Sequence, residues 1–322
     1  MHKSVALLCA VLAASLTAAQ AQYPERPVRM IVPFAPGGNV DVTARTITPA
    51  LSELLGRNFV VDNRSGAGGA VGAEIVATAT PDGYTLLVGS TGLLTIAPVI
   101  FDKLRYDPAK DFAPISLISK VPLVMLVNAK SPAKSAKEFV ALAKSRGGEM
   151  TMGSSGNFST GQLAGALFQN MTGTRFVHVP YKGGSLAMAD LIGGHVDLMF
   201  DQINAATGHI RGGRVRELAL TSTTRSPELP EVPTMSEAGL PGVEAETFNA
   251  LLAPAGTPRA IVARLNEAVG KVLASKSVRD AFARQGAEVI GSTPEAAGSY
   301  IRSETTKWTT VIRSAGLKTE HR

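Results

Sequence analysis

The segment Phe34-Ala35-Pro36-Gly37-Gly38-Asn39-Val40-Asp41 sets two glycines beside an amide and a carboxylate at the opening of a helical pattern. Glycines let the main chain approach a ligand closely, Asn39 can cap a helix, and Asp41 can brace the turn by accepting from backbone amides. The N–H groups of such a turn and of the first helical turn converge on one spot, which suits a negatively charged ligand. Three further loops repeat this chemistry. They hold Ser90 and Thr91, then Ser154, Ser155, Gly156, Asn157 and Thr160, then Tyr181, Gly183 and Gly184. Lys182 offers a positive charge or a solvated side chain, and Asp201, at a strand end, can orient water or contact a ligand amine. Ordinary helix capping competes with ligand contact at each serine and threonine loop taken alone, and at Asp201. Gly66 to Gly72 also leads from strand to helix, but Val71 stands where G-x-G-x-x-G needs its third glycine. Close helix packing is the favoured role there, and no nucleotide or other cofactor is expected.

Catalytic arrangements are hard to assemble. The chain has no G-x-S-x-G elbow and no H-E-x-x-H, and His178, His195, His209 and His321 show no metal-ligand spacing. A hydrolase using Ser154 or Ser155 would need a histidine within hydrogen-bond reach of one of them. His178, in an apolar strand, reads instead as structural, and Trp308, the one tryptophan, reads as core. The single cysteine, Cys9, lies in a segment that has the form of an export signal: His2 and Lys3, an apolar stretch from Val5 to Thr17, and a small-residue cleavage site at Ala19-Gln20-Ala21. Leu8 before Cys9 argues against lipidation. Cleavage after Ala21 would leave no thiol for a disulfide or a thiolate metal site. It would also leave 31 Lys and Arg against 26 Asp and Glu, a net charge of +5. The bases are interleaved with acids and only 5% of residues are aromatic, so a solvated surface is favoured over nucleic-acid binding.

These loops need elements to hold them. An apolar strand over Val28–Phe34, a helix over Val40–Leu55 stopped by Gly56, and strands at Asn58–Asp62 and Tyr84–Val88 around a helix at Val71–Thr78 make a parallel α/β unit. Pro49 falls inside the first helix and predicts a kink or an early break. Pro114 to Asn128 is a long apolar run with Pro122 in its middle, unlike an ordinary central strand but suited to a segment passing between lobes. A second α/β pattern follows from Ser135 to Leu220, then a proline-rich connection, a second crossing candidate at Phe248–Pro254, and three closing helices beginning near Pro258, Ser277 and Pro294. The expected organisation is a signal over 1–21, lobe 1 over 22–122, lobe 2 over 123–249, and a return to lobe 1 over 250–322. Two crossings imply a cleft and a hinge.

In order along the chain, PFAPGGNVDVTAR, DNRSGAGG, PDGYTLLVGSTG, GSSGNFSTG, VPYKGGSLAMADLIGGHVDLMFD, LALTSTTRSPELPEVPTMSEAGLPGVE and LLAPAGTP resemble the Bug receptors, the periplasmic solute-binding components of tripartite tricarboxylate transporters. The likeness covers essentially the whole mature chain. It implies a type II periplasmic-binding-protein fold, α/β, with two lobes that close on one small carboxylated solute. It also implies that loops matching Phe34 to Asp41, Ser90-Thr91 and Ser154 to Thr160 hold a carboxylate, and that the position of Asp201 faces the cleft. The partners implied are a mono- or dicarboxylate, an amino acid or an aromatic acid, together with membrane permease subunits. A monomer in the periplasm is expected, with no nucleic acid. A ligand sensor docking on a membrane kinase would share the same cleft.

Overall fold

The computed structural model describes residues 23–34, 36–101, 103–181 and 183–317. The export signal and Cys9 lie outside them, as do Ala35 and Lys182. Strand β1 (Val28–Val32) leads to helix α1 (Asn39–Leu55), then β2 (Phe59–Asn63), α2 (Ala70–Ala77) and β3 (Thr85–Ser90). β2, β1 and β3 are parallel neighbours, as the alternation of strand and helix requires. A π turn over Gly92–Ile96 runs into the short α3 (Ala97–Ile100). α1 ends where Gly56 takes the left-handed conformation (φ 68°) and donates its N–H to Ser52 O. Pro49 does not break it. The residue sits on the exposed face, and Arg45, whose carbonyl loses its helical bond, is exposed as well.

β4 (Phe112–Asn128) is a single strand of 17 residues and joins the two halves of the molecule. Its first part pairs antiparallel with β9 (Glu246–Pro254) as far as Pro122↔Glu246, and from Leu123 onward it pairs with β7 (Leu198–Gln202) and, from Val124, with β8 (Val215–Leu220). Pro122 stands where one ladder gives way to the next, so its missing N–H interrupts neither. The expected crossing is therefore also a continuous strand. Before β7 come α4 (Ala136–Ser145), β5 (Thr151–Ser154), α5 (Thr160–Thr172), β6 (Val177–Pro180) and α6 (Gly184–Gly193), and α7 (Ile203–Arg211) follows it. One lobe has the strand order β2-β1-β3-β9-β4, and the other has β8 and β7 on either side of β4, followed by β5 and β6.

The closing segment holds α8 (Arg259–Ala274), α9 (Lys276–Ala283), the two-residue strand β10 (Glu288–Val289) on β4, and α10 (Pro294–Ser314). α10 spans two cores. Ala297 and Ile301 pack with Leu87 and Phe248 of the first lobe, whereas Trp308, Val311 and Ile312 pack with Phe139 and Phe168 of the second. Trp308 is fully buried, as expected of a core residue, and donates its indole N–H to Glu304 at 3.1 Å.

Candidate functional site

A cavity of about 640 Å³ opens between the lobes. Gly37 and Gly38 line it from the first lobe, and Ser155, Thr160, Gly161, Gly184, Ser185 and Asp201 from the second. Three helices begin at this space without a side-chain cap: α1 after Gly38, α6 after Gly183 and α7 after Gln202. At α1 and α6 the first N–H groups are left for water or a ligand, with the positive ends of the helices behind them, whereas at α7 Ala205 N–H donates to Asn204 Oδ1 at 2.9 Å. The expectation that Asn39 caps α1 does not hold. Gly38 is the cap, Asn39 is the first helical residue, and its Nδ2 is buried with no partner among the described residues. α5 differs, because Ser159 caps it by accepting from Gln162 N–H at 3.3 Å. The capping role is thus realised at Ser159, which leaves Ser155 and Thr160 on the cavity wall.

The loop before α1 is held from behind. Gly37 N–H donates to Asp41 Oδ2 at 2.8 Å, Arg45 Nε donates to the same carboxylate, and Asn63 Nδ2 bridges Asp41 Oδ1 and Phe34 O at 2.9 and 3.0 Å. Burial pushes the Asp41 carboxyl up, but the donors of Arg45, Gly37 and Asn63 outweigh it and hold the group below the usual carboxylate range. Asp41 is therefore the brace the spacing predicts, and its oxygens are occupied. Gly37 has φ 84°, a conformation that favours glycine, whereas Gly38 at φ −76° is extended. Phe34 is half-buried against the first-lobe core, and Pro36 is exposed. At Gly72 a side chain would press on Pro33 and on Arg64 O, consistent with the packing role of the Gly66–Gly72 loop.

Other candidates turn inward. Ser90 is buried at the end of β3 opposite Asn249, and Thr91 is fully buried, with its hydroxyl accepting from Phe248 N–H at 2.8 Å. Neither lines the cavity. Tyr181 donates its hydroxyl to Asp190, and burial followed by that carboxylate pushes its pKa up to about 12. Gly156 (φ 136°) closes the turn after Ser154, and Asn157 is exposed beside it. Ser154 is fully buried, with Oγ 2.7 Å from His178 Nε2, while His178 Nδ1 is 3.1 Å from Gln162 Nε2. The oxygen of the Gln162 amide accepts from Phe158 N–H, which assigns its nitrogen to His178.

Asp201 lies at the end of β7 against the start of α6. A Cβ on Gly184 would stand 3.6 and 3.7 Å from its two oxygens and 3.9 Å from Ser155 Cβ. Its Oδ1 accepts from Gln202 N–H at 2.9 Å. Burial raises its pKa to about 6 against the lowering effect of that amide. His209 on α7 also lines the cavity, with Nδ1 buried and unpartnered among the described residues. Ligand spacing does not find it. The signal that does is helical, because Asp201, Ala205 and His209 stand at i, i+4 and i+8 and all reach the same wall.

The family model described as tripartite tricarboxylate transporter family receptor matches residues 43–317. The protein BugT of Bordetella pertussis is 39% identical over 297 residues, 92% of this chain and 91% of that one. Among solved structures, an R. palustris protein with adipate is 38% identical with a TM-score of 0.81, covering 91% of this chain and 98% of its own. MatC from Rhodopseudomonas palustris with bound malate is 36% identical with a TM-score of 0.76, covering 90% and 100%. The periplasmic binding protein BugD is 35% identical with a TM-score of 0.77, covering 92% and 100%. With the two-lobed periplasmic-binding fold and its cleft in place, the chain belongs to the tripartite tricarboxylate transporter receptor family, whose Bug proteins are solute-binding receptors.

Proposed function

We propose that this receptor works in the periplasm as a monomer, closes its cleft on one small carboxylated solute, and hands it to the permease subunits of a tripartite transporter. The lobes divide near Pro122 and again at the start of β9, with the far end of α10 seated on lobe 2, and the carboxylate is clamped by Gly37 and Gly38 on one side and by Ser155, Thr160, Gly183 and Gly184 on the other. The observation that carries this reading is the convergence of uncapped helix starts from both lobes on one cavity of about 640 Å³. The adipate and malate held by two relatives support a carboxylate. Each charge-assisted hydrogen bond contributes about 1.5 to 3 kcal/mol, and a helix start roughly 0.3 to 1 more. Three or four such contacts, less the entropy of capture, give on the order of −8 kcal/mol, about micromolar affinity.

Hydrolysis by Ser154 fits poorly despite the nearby histidine. Gln162 donates to His178 Nδ1, so the ring proton sits on Nε2 and the imidazole donates to Ser154 Oγ. A general base needs the opposite polarity, with Nε2 accepting the serine proton. Ser154 also donates to Gly156 O and is fully buried. A serine-directed fluorophosphonate is expected to leave the protein unlabelled, and labelling at Ser154 would reopen the enzyme reading.

Native mass spectrometry of the purified protein, followed by a thermal-shift screen of carboxylic acids, tests the receptor reading. Gly38→Phe makes the sharpest variant, because the extended backbone there accepts a side chain while the ring would fill the cavity. It should abolish the ligand-induced shift with the unliganded melting temperature nearly unchanged. Undiminished binding would count against the clamp.

A further inference from the structure

Asp201 and His209 are the titratable groups facing the cavity among the described residues; Asp201 keeps acceptor capacity to spare, and a neutral His209 ring carries one acceptor nitrogen. Asp201 receives one hydrogen bond, from Gln202 N–H, and has no ion-pair partner among the described residues. His209 shows an unpartnered ring nitrogen. Donors are already abundant at the helix starts, so this wall supplies the complementary half of the hydrogen-bond inventory. We propose that Asp201 and His209 read a hydrogen-bond donor on the solute, so that the preferred ligand is an amino- or hydroxy-carboxylate rather than a plain dicarboxylate. This rests on the receptor reading above, and names the class of solute within it.

The physical reason is selection by repulsion as much as by attraction. A second carboxylate placed on this wall would meet the Asp201 carboxylate, whereas an ammonium would pair with it and a hydroxyl would donate to it. Val124 opposite on β4, Gly184 beside its oxygens, and Ser155 and Ala205 on the same cavity wall carry no charge that could offset the repulsion. Burial, and then Arg214, hold the His209 pKa down, so the imidazole is neutral at pH 7 and cannot compensate a second carboxylate as a cation.

Proton linkage gives the assignment a second readout. Burial pushes the Asp201 carboxyl up to about 6. Pairing with an ammonium pulls that value down, so capture of an amino-carboxylate releases protons near this pH and its affinity falls as the pH drops further. A dicarboxylate would push the value up and take protons in.

The test is calorimetry on the full mature receptor with two matched sets: adipate with its ω-hydroxy and ω-amino analogues, and succinate with γ-hydroxybutyrate and γ-aminobutyrate. The amino or hydroxy member of one set should bind at least about tenfold tighter than its dicarboxylate. Asp201→Asn and His209→Ala should each shrink that ratio toward one, with Asp201→Ser as a second variant should the first fail to fold. Repeating the titration of the amino compound in buffers of different ionisation enthalpy should show proton release near pH 6. A dicarboxylate that binds as tightly or tighter, a ratio that survives both substitutions, or proton uptake with the amino compound would overturn the assignment while leaving the receptor reading intact. If no compound in either set binds while another acid from the thermal-shift screen does, this assignment falls and the receptor reading stands.

Discussion

Asp41 accepts from Gly37 N–H, Asn63 Nδ2 and Arg45 Nε, so one side chain behind the loop sets the direction of the amides in front of it. Removing it would leave a loop N–H without an acceptor, and Asp41→Ala should cost about 1 to 3 kcal/mol. Urea denaturation reads that loss, and a change below about 0.5 kcal/mol would show that the loop stands without its brace. Because the folded-state pKa of Asp41 is depressed, its contribution is present above the unfolded carboxylate pKa and is lost as pH falls through the folded value. The wild-type and Asp41→Asn melting curves should therefore differ at neutral pH and draw together once acid protonates the group. A gap that stays constant across the acid range would assign the effect to shape instead of charge.

At the scale of elements, strong local signals carried most of the fold. The helix ending at Gly56, the strands around it and the α/β alternation of both lobes follow from apolar period and cap residues, which are contributed by contiguous chain. Pro122 marked the crossing because proline interrupts a ladder, although the ladder's change of partners, which lets the strand continue through it, depends on residues far along the chain. β10 and the cavity wall of α7 were less legible, since a two-residue strand has no period and His209 is meaningful only once Asp201 and the α6 start are placed beside it. Ser90 and Thr91 show the reverse. Their position at a strand end suggested a ligand, and tertiary packing gave the Thr91 hydroxyl to β9. α10 adds an element-scale prediction, because Trp308 fills the second core at the far end of a helix that starts on the first. Trp308→Ala should cost about 3 to 5 kcal/mol. A penalty under about 1 kcal/mol in chemical denaturation would mean that the helix end is not packed as described.

For the molecule as a whole, β4 runs through both sheets and α10 through both cores, so neither lobe can lose its packing without exposing apolar surface of the other. Two lobes of this size would otherwise be free to unfold in separate steps. The single tryptophan makes the coupling measurable, since Trp308 reports the second core alone while far-ultraviolet circular dichroism averages over all helices and strands. The two signals should trace one coincident transition in urea. A bound carboxylate at about a hundred times its Kd should then move both midpoints together, by the equivalent of about 2.7 kcal/mol. Fluorescence and dichroism transitions that separate, or a ligand that shifts only one of them, would show lobes that fold independently, and would reduce the shared strand and the spanning helix to passive links.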